Sequence, residues 1–185
     1  MNTRRPGHDE VVAATRRWVE RAVIGLNLCP FARAVSVRGQ VRYAVSDATD
    51  PEALLGDLES ELRLLSLSDA EQVDTTLLIL PLVLGDFLDY NDFLDTADAA
   101  VARMGLEGVI QVASFHPQYQ FAGTDPDDIT NYTNRSPFPI LHLLREASVS
   151  AAVAAFPEAD LIYQRNLDTM ARLGIDGWIA LGLDT

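Results

Sequence analysis

Residues 75–81 read TTLLILP, a run of threonine and aliphatic side chains without polar alternation. Such a run is typical of a strand that is covered on both faces, as in the middle layer of an α/β protein. The preceding segment predicts a helix, because Asp50 can cap it and the ring of Pro51 fits its first position. Leucines at helical spacing supply its buried face: Leu54, Leu55, Leu58, Leu62 and Leu65.

The segments that follow this strand repeat the pattern. A second helix is predicted to run to about residue 103, with Gly105 as a left-handed stop. The run GVIQVASF at 108–115 then predicts another strand. A strand–helix–strand–helix–strand order implies right-handed crossovers and at least two parallel pairs, whose ligands gather at the carboxyl ends of the strands.

The N-terminal third predicts one helix and one strand. Residues 10–27 have an apolar stripe at helical spacing, and alternating residues from Val35 to Val45 predict a strand interrupted near Gly39. We therefore expect one α/β domain over residues 1–185, with 1–9 flexible. Its architecture is a two-layer or three-layer sandwich with a small, mostly parallel or mixed sheet and several flanking helices.

The composition limits the classes of function. The chain has 185 residues, 48% hydrophobic and 22% charged, a balance typical of a soluble globular domain. A formal charge of -13 argues against nucleic acid as a partner. All 14 basic side chains are arginines, which excludes lysine Schiff-base chemistry and leaves bidentate binding of carboxylate or phosphate. A single cysteine and the lack of a long apolar run favour a cytoplasmic protein without membrane contact.

The stretch 114–146, SFHPQYQFAGTDPDDITNYTNRSPFPILHLLRE, gathers two of the three histidines with arginines, asparagines and a glutamate. Residues 117–136 are rich in turn formers and too long for an idle connection, which favours a functional loop. Ser136 and Pro137 predict the start of a helix that runs to about residue 148. A short helix from Asn166 to Leu173, closed by Gly174, is predicted near the C-terminus.

Five blocks carry a resemblance to a known family. They are GLNLCPFA at 25–32, TTLLILP at 75–81, the run from Gln111 to Phe121, NYTNRSPFPILHLLREAS at 131–148 and RNLDTMARLG at 165–174. With them the chain resembles the bacterial family called domain of unknown function 1415 over roughly residues 11–175. The resemblance implies a shared site, and since the family has no established activity, it implies no chemistry.

A divalent metal is one cofactor that the sequence allows. His142 and Glu146 lie four apart on the predicted helix, so they face the same way, and His116 at a strand end could complete the set. Two histidines and a carboxylate suit a non-haem iron or a similar site with open positions. The alternative is that Glu146 pairs with an arginine and that His142 is a satisfied histidine beneath the loop.

Cys29 opens the run CPFAR and is a second catalytic candidate. A helix N-terminus or a nearby arginine would lower the pKa of its thiol and make it reactive. The run superficially resembles a segment of thioredoxin-fold proteins, in which a strand precedes the cysteine. Here the preceding residues have a helical period, which favours a small buried cysteine.

Polar residues before the helix predicted at 137–148 could bind an anion. Asn131, Asn134 and Arg135 precede its N-terminus, where free N–H groups attract negative charge, and Arg145 and Arg165 are candidate second clamps. They could instead be turn and cap residues. An aromatic wall for an organic ligand, or a pin for the loop, is predicted from Tyr119, Phe121, Tyr132 and Phe138.

These residues lead to one functional expectation and two alternatives. No Ser-His-Asp elbow, phosphate-cradling glycine loop or dinucleotide fingerprint occurs. We expect an enzyme acting on a small anionic metabolite, with His116 or His142 as acid or base and Arg135 with Asn131 binding the anion. The alternatives are a non-catalytic sensor of a small molecule or metal, and a protein-interaction module that uses loop 117–136. The sequence fixes neither the substrate nor the oligomeric state.

Overall fold

A computed structural model describes residues 5–156 and 158–183. Its helices are α1 (His8–Trp18), α2 (Ala32–Val37), α3 (Pro51–Leu67), α4 (Phe87–Arg103), α5 (Glu146–Ala155) and α6 (Ile162–Ile179). Its strands are β1 (Val41–Val45), β2 (Thr75–Ile79), β3 (Ile110–Phe115) and β4 (Ile140–Arg145). A π-helical stretch, Val19–Ile24, continues α1 and is called the π segment below, and 3-10 turns span Ile129–Asn134 and Ala159–Leu161.

The strands form one mixed sheet in the order β1-β2-β4-β3. β1 and β2 pair in parallel, whereas β4 is antiparallel to β2 on one side and to β3 on the other. β2 and β3 therefore point the same way without pairing with each other. The expectation of at least two parallel pairs is wrong for the described residues, because β4 occupies the place beside β2. The α/β class with a small mixed sheet and flanking helices is confirmed.

The sheet separates two apolar clusters. α3 and α4 cover one face, where Leu54, Leu58 and Tyr90 are fully buried. α1, the π segment and the C-terminal end of α6 cover the other face, where Trp18 and Trp178 pack. All five residues of β2 are buried between these layers, as the run TTLLILP predicts.

α3 begins and α4 ends where the sequence signals predict. α3 starts at Pro51, and the Asp50 side chain accepts a hydrogen bond from the N–H of Ala53 at 2.9 Å. α4 ends at Arg103, and Gly105 follows with a φ of 69°. A positive φ has little steric cost for glycine, which explains why the helix stops there.

The helix predicted over 137–148 is wrong. Residues Ile140–Arg145 form β4, and the helix that follows begins only at Glu146. β4 is the inner strand between β2 and β3, so its alternate side chains fill both apolar clusters. A short apolar run cannot be assigned by periodicity alone, and here sheet pairing decides the outcome.

Two further expectations are corrected in part. Val35 and Val37 belong to helix α2 and not to a strand, although Gly39 does form a turn with a φ of 70° before β1. The helix predicted for 166–173 begins earlier, at Ile162, but its predicted stop is observed, because the backbone of Gly174 is non-helical, with a φ of 63° and a ψ of 177°, and α6 continues beyond this kink as a second helical piece.

The segment 1–9, predicted to be flexible, lies only partly within the described residues. Residues 1–4 are not among the described residues, whereas Arg5 and His8 both contact the carboxylate of Asp47. The sequence also predicts that the run AAVAAF at 151–156 stops at Pro157, which lies outside the described residues, and α5 ends at Ala155. In the described chain, no helix has both the length and the apolar character needed to cross a bilayer.

Candidate functional site

Loop 117–136 is organised from within by Asn131, whose side chain is fully buried. Its Oδ1 atom accepts hydrogen bonds from the N–H of Phe121 at 2.9 Å and from the hydroxyl of Thr124 at 2.8 Å. Its Nδ2 atom donates to the carbonyl oxygen of Asp125 at 2.8 Å. The amide that the sequence assigned to ligand binding therefore closes the loop on itself.

The guanidinium group of Arg135 is engaged in the same loop. Its Nε atom donates to the carbonyl oxygen of Tyr119 at 3.2 Å, and its Nη2 atom donates to that of Pro126 at 2.6 Å. The guanidinium carbon lies 4.1 Å from the centre of the Tyr132 ring, a cation–π contact. Arg135 therefore contacts the protein at three points, through Nε, Nη2 and the face of its guanidinium group.

The remaining loop residues also hold the backbone. Asn134 donates from Nδ2 to the carbonyl oxygen of Ser114 at 3.1 Å. The Tyr119 ring packs against Phe87 of α4 at 5.2 Å and against Phe121 at 5.0 Å, which pins the loop to the body. Since β4 follows the loop, the helix N-terminus expected to attract an anion there is not formed in the described chain.

His116 is fully buried at the C-terminal end of β3, and both of its ring nitrogens have partners. Nδ1 accepts a hydrogen bond from the N–H of Gln118 at 3.0 Å, so Nε2 carries the proton and donates to the carbonyl oxygen of Leu84 at 3.1 Å. Burial lowers the pKa of His116. This histidine is a neutral structural link, with neither nitrogen free for a substrate proton.

Arg145 lies at the end of β4 and reaches the C-terminal end of α3. Its guanidinium donates to the carbonyl oxygens of Leu65 at 2.7 Å, Ser68 at 2.6 Å and Val73 at 3.0 Å. A cation at this position satisfies carbonyl groups that a helix end leaves unpaired. Arg145 therefore fixes α3 to the sheet, and its donors face backbone atoms.

Cys29 is half-buried in the turn that follows the π segment. Its N–H donates to the carbonyl oxygen of Val23, and its own carbonyl accepts from the N–H of Ala32. Within the described residues, its thiol has no hydrogen-bond partner. No described strand precedes Cys29, so its surroundings differ from those of the thioredoxin-fold segment that it superficially resembles.

His142 lies in the middle of β4 and contacts Thr75 of β2. Its Nε2 atom is 2.7 Å from the Thr75 hydroxyl oxygen, and that hydroxyl donates to the carbonyl oxygen of Leu143 at 2.7 Å. Burial lowers the pKa of His142 to about 4, and its ring packs 5.9 Å from that of Phe115. At neutral pH His142 is therefore an uncharged imidazole.

The metal set expected from His116, His142 and Glu146 is not assembled. His116 packs against Phe87 and Tyr90 on the face of the sheet that α4 covers, whereas His142 faces the opposite side. His142 lies in β4 whereas Glu146 is the first residue of α5, so the two are not one turn apart on a shared helix. Among the described residues, no three His, Cys, Asp or Glu side chains lie close enough together to hold a metal ion.

A cleft that the sequence did not predict lies between the segment 26–30 and α6. Its volume is about 650 Å³. We call it the α6 cleft. Its polar lining comes from Asn27, Arg165, Asn166, Asp168, Thr169 and Arg172, and its apolar lining from Leu26, Pro30, Phe156, Ile162 and Ala171.

The wall at 26–30 depends on local backbone geometry. At Gly25 a Cβ atom would lie 2.2 Å from the carbonyl oxygen of Arg21, so only glycine fits there. Asn27 follows with a φ of 55°, a left-handed conformation that asparagine adopts more readily than most residues. π-helical turns are rare and occur frequently at functional sites. The π segment, Gly25 and Asn27 together turn the chain towards α6.

Two arginines and one aspartate line the α6 cleft, and Glu158, which pairs with Arg165, offsets the second positive charge. Arg165 pairs with Glu158 and lies over the ring of Phe156, while Arg172 donates to the carbonyl oxygen of Asp168. Arginine carries five N–H donors, so these contacts leave donors available. The lining contains two guanidinium groups, those of Arg165 and Arg172, and one carboxylate, that of Asp168.

Of the predicted site residues, Arg165 alone lines this cleft. The sequence signal that pointed towards the α6 cleft was the pair of blocks GLNLCPFA and RNLDTMARLG, because residues of these blocks form its two walls. Each block was visible in the sequence, but nothing in either indicated that the two would meet.

Comparison with known proteins identifies the family and nothing more specific. The model of the family described as protein of unknown function (DUF1415) matches residues 10–180, which is most of the chain. A comparison with curated proteins found no match, and neither did a comparison with solved structures. The resemblance stated from the five sequence blocks is confirmed, and the chain belongs to the DUF1415 family.

Proposed function

We propose that this protein binds a small anionic metabolite, a carboxylate or a phosphate ester, in the α6 cleft. The observation that carries the proposal is the presence of Arg165 and Arg172 in one cavity of about 650 Å³. Small-molecule sites are typically clefts of roughly 300–1,000 Å³ with an apolar lining and a few polar groups. The volume of the cleft lies in that range, and polar and apolar residues contribute to its lining in similar number.

The chemistry of the lining favours an anion. Guanidinium groups bind carboxylate and phosphate oxygens through two parallel hydrogen bonds, which gives both energy and orientation. Asn27 and Thr169 add an amide and a hydroxyl that can contact ester or hydroxyl oxygens. Phe156 and Pro30 supply the apolar surface that a carbon skeleton needs.

Because the chain as a whole is negatively charged, a small anion should bind at the α6 cleft and not elsewhere on the surface. A protein with a formal charge of -13 repels anions from most of its surface. A cleft that brings two guanidinium groups together is then a place where a small anion gains from contact. Because Arg165 and Arg172 are exposed, the affinity should fall as the salt concentration rises.

The proposal keeps the ligand class expected from the sequence and changes the residues that bind it. Asn131 and Arg135 form hydrogen bonds within the loop, whereas Arg165 and Arg172 line a cavity. Binding alone suits a sensor, and turnover would make the protein an enzyme. The same cleft serves either outcome.

The test compares anion binding in matched arginine variants. Inorganic phosphate, succinate and adenosine monophosphate are titrated into the protein while backbone NMR shifts are recorded. We expect saturable shifts at residues 26–30 and 165–172 for at least one probe, and their loss in the Arg165→Gln, Arg172→Gln double variant. Arg63→Gln, on the exposed face of α3, removes an arginine without touching the cleft and should leave binding unchanged.

Two results would overturn the proposal. One is that none of the three probes shifts the cleft resonances at millimolar concentration. The other is that the double variant binds as well as the Arg63→Gln control, which would reduce the effect to general attraction of anions.

A further inference from the structure

A second group of polar side chains lies on the sheet face that α1 and the end of α6 cover. It consists of Thr75, Gln111 and His142 on three adjacent strands. His142 lies opposite Ala113, and Gln111 lies opposite Leu144, so Gln111 and His142 are diagonal neighbours on one face. Diagonal neighbours are about 7 Å apart, close enough for one small molecule to touch both.

The hydrogen bonds around His142 determine its tautomer. The Thr75 hydroxyl donates its proton to the carbonyl oxygen of Leu143, so it can only accept from the imidazole. Nε2 of His142 therefore carries the ring proton and donates it to Thr75, and in the neutral ring Nδ1 carries a lone pair. Within residues 5–156 and 158–183, that Nδ1 atom has no hydrogen-bond partner.

The side chain of Gln111 likewise has no hydrogen-bond partner among the described residues. Its side-chain amide forms no hydrogen bond with any described residue, although it can donate two and accept two. His142, Gln111, Ala113 and Leu144 are all half-buried, so solvent reaches this part of the sheet. His116 is the contrasting case, because it is fully buried with both nitrogens bonded.

The surroundings keep the imidazole uncharged. Its ring packs on Phe115, and its neighbours across the strands are Leu77 and Ala113. On this face of the described strands, the other titratable side chain is Tyr43 of β1, two strands away and under Arg16 of α1. No carboxylate on these strands shares the face with His142, so nothing there stabilises an imidazolium.

We infer that His142 and Gln111 form a binding site for a small neutral molecule with an O–H or N–H donor, which Nδ1 of His142 accepts. Gln111 donates to or accepts from the adjacent polar atom of the same molecule. The site shares no residue with the α6 cleft, so it goes beyond the proposed function and stands without it. Thr75 is a positioning residue, because it acts on the ligand only through the tautomer of His142.

The first measurement tests whether Nδ1 is free and open to small molecules. Diethyl pyrocarbonate acylates an unprotonated imidazole nitrogen, and mass spectrometry of peptides locates the modified histidine. We expect modification at His142 and none at His116. N-acetylhistidine is included in the same reaction as a reference. Its reactivity falls as it becomes protonated below its ordinary pKa. When the pH is lowered by one unit from 6.5, the ratio of the His142 rate to the N-acetylhistidine rate should therefore rise about fivefold.

The second measurement tests the ligand class and the role of Thr75. Acetamide is titrated while the ¹⁵N resonances of the His142 ring and the Gln111 amide are followed. We expect both to shift together, and Gln111→Ala to weaken the response at His142. Thr75→Ser should keep the proton on Nε2, whereas Thr75→Val should move part of the population to Nδ1 and weaken acetamide binding with little loss of fold by circular dichroism.

Three results would overturn the inference. The first is a His142 that resists diethyl pyrocarbonate while N-acetylhistidine reacts, since Nδ1 would then be sealed. The second is a ring proton on Nδ1 in the wild-type protein. The third is an acetamide response that is absent, or that is unchanged in both Gln111→Ala and Thr75→Val.

Discussion

The side-chain amide of Asn166 donates a hydrogen bond to the carbonyl oxygen of Leu28 at 2.9 Å. This contact joins two walls of the α6 cleft that are far apart in the sequence. Leu28 is held on its other side, because its N–H donates to the carbonyl oxygen of Val23 in the π segment. The bond therefore connects α6 to the turn at 26–30, and the shape of the cleft depends on it.

Replacing Asn166 should loosen this connection. Asn166→Ala leaves the Leu28 carbonyl without its partner, and we expect a loss of about 1 kcal/mol in the free energy of unfolding. Urea denaturation measures the loss. Gln164→Ala is the matched control, because that exposed side chain bonds only Asp168 one turn along α6, and its effect should stay within about 0.5 kcal/mol. Equal losses in the two variants would contradict the role of Asn166.

Replacing Arg145 should destabilise the protein more strongly. Arg145→Met keeps the length of the side chain but leaves the carbonyl oxygens of Leu65, Ser68 and Val73 without their donor. We expect a loss of about 3 kcal/mol, since hydrogen bonds from a charged group are the stronger ones. Thermal and urea unfolding would measure it. Arg63→Met on exposed α3 serves as the control, and a similar loss there would show that the cap contributes little.

Replacing Asn131 should release the loop without unfolding the body. Asn131→Ala removes the acceptor of the Phe121 N–H, so the hydrogen-exchange protection of that amide should fall about tenfold. The amide of Leu78 in β2 should be unaffected, because it belongs to the sheet. Gln118→Ala changes an exposed residue of the same loop and should leave the Phe121 amide protected. Uniform loss of protection across the chain would mean that Asn131 stabilises the whole fold.

The stability of the protein should depend on the protonation of His142. Its pKa is lowered from 6.5 to about 4, so the unfolded chain takes up this proton at a higher pH than the folded protein does. The free energy of unfolding should therefore fall as the pH drops from about 6.5 to 4, and this contribution levels off below that. Its full size is at most about 3 kcal/mol.

His142→Gln isolates this contribution. Glutamine keeps a donor for Thr75 but does not titrate, so the variant should lose less stability than the wild type over the same pH interval. Urea unfolding at several pH values gives the comparison. The lowered pKa of His116 acts in the same direction in both proteins and cancels. Parallel curves for the two proteins would contradict the assignment.

The elements with strong local signals could be predicted from the sequence. α3 has a capping aspartate, a proline at its first position and leucines on one face, and α4 ends at a left-handed glycine. These signals act within one or two turns, so they do not depend on the rest of the chain. The run TTLLILP also predicted its strand, because an uninterrupted apolar run suits a strand whose side chains fill apolar clusters on both faces of a sheet.

β4 could not be predicted, because its state is decided by its neighbours. The segment ILHLLR has apolar residues that suit a buried helix as well as a strand. It forms a strand since β2 and β3 offer two open edges, one on each side. That misassignment also produced the His142–Glu146 metal pair, whose spacing has meaning only on a helix.

The polar stretch 114–146 was predicted to be a site, and the interactions that its loop residues form are internal. A long loop must satisfy its own backbone groups, and Asn131, Arg135 and His116 do so. A concentration of polar side chains therefore indicated a well-organised loop as much as a site. The α6 cleft joins segments about 140 residues apart, a pairing that one sequence cannot reveal.

The position of β4 also affects how the chain folds during synthesis. β2 and β3 are complete once residue 115 has been made, but each keeps an unpaired edge until residues 140–145 arrive. Open strand edges invite pairing with other chains. A nascent or truncated protein that stops before residue 140 thus exposes the two edges that β4 covers in the complete sheet, whereas the outer edges of β1 and β3 pair with no described strand in either case.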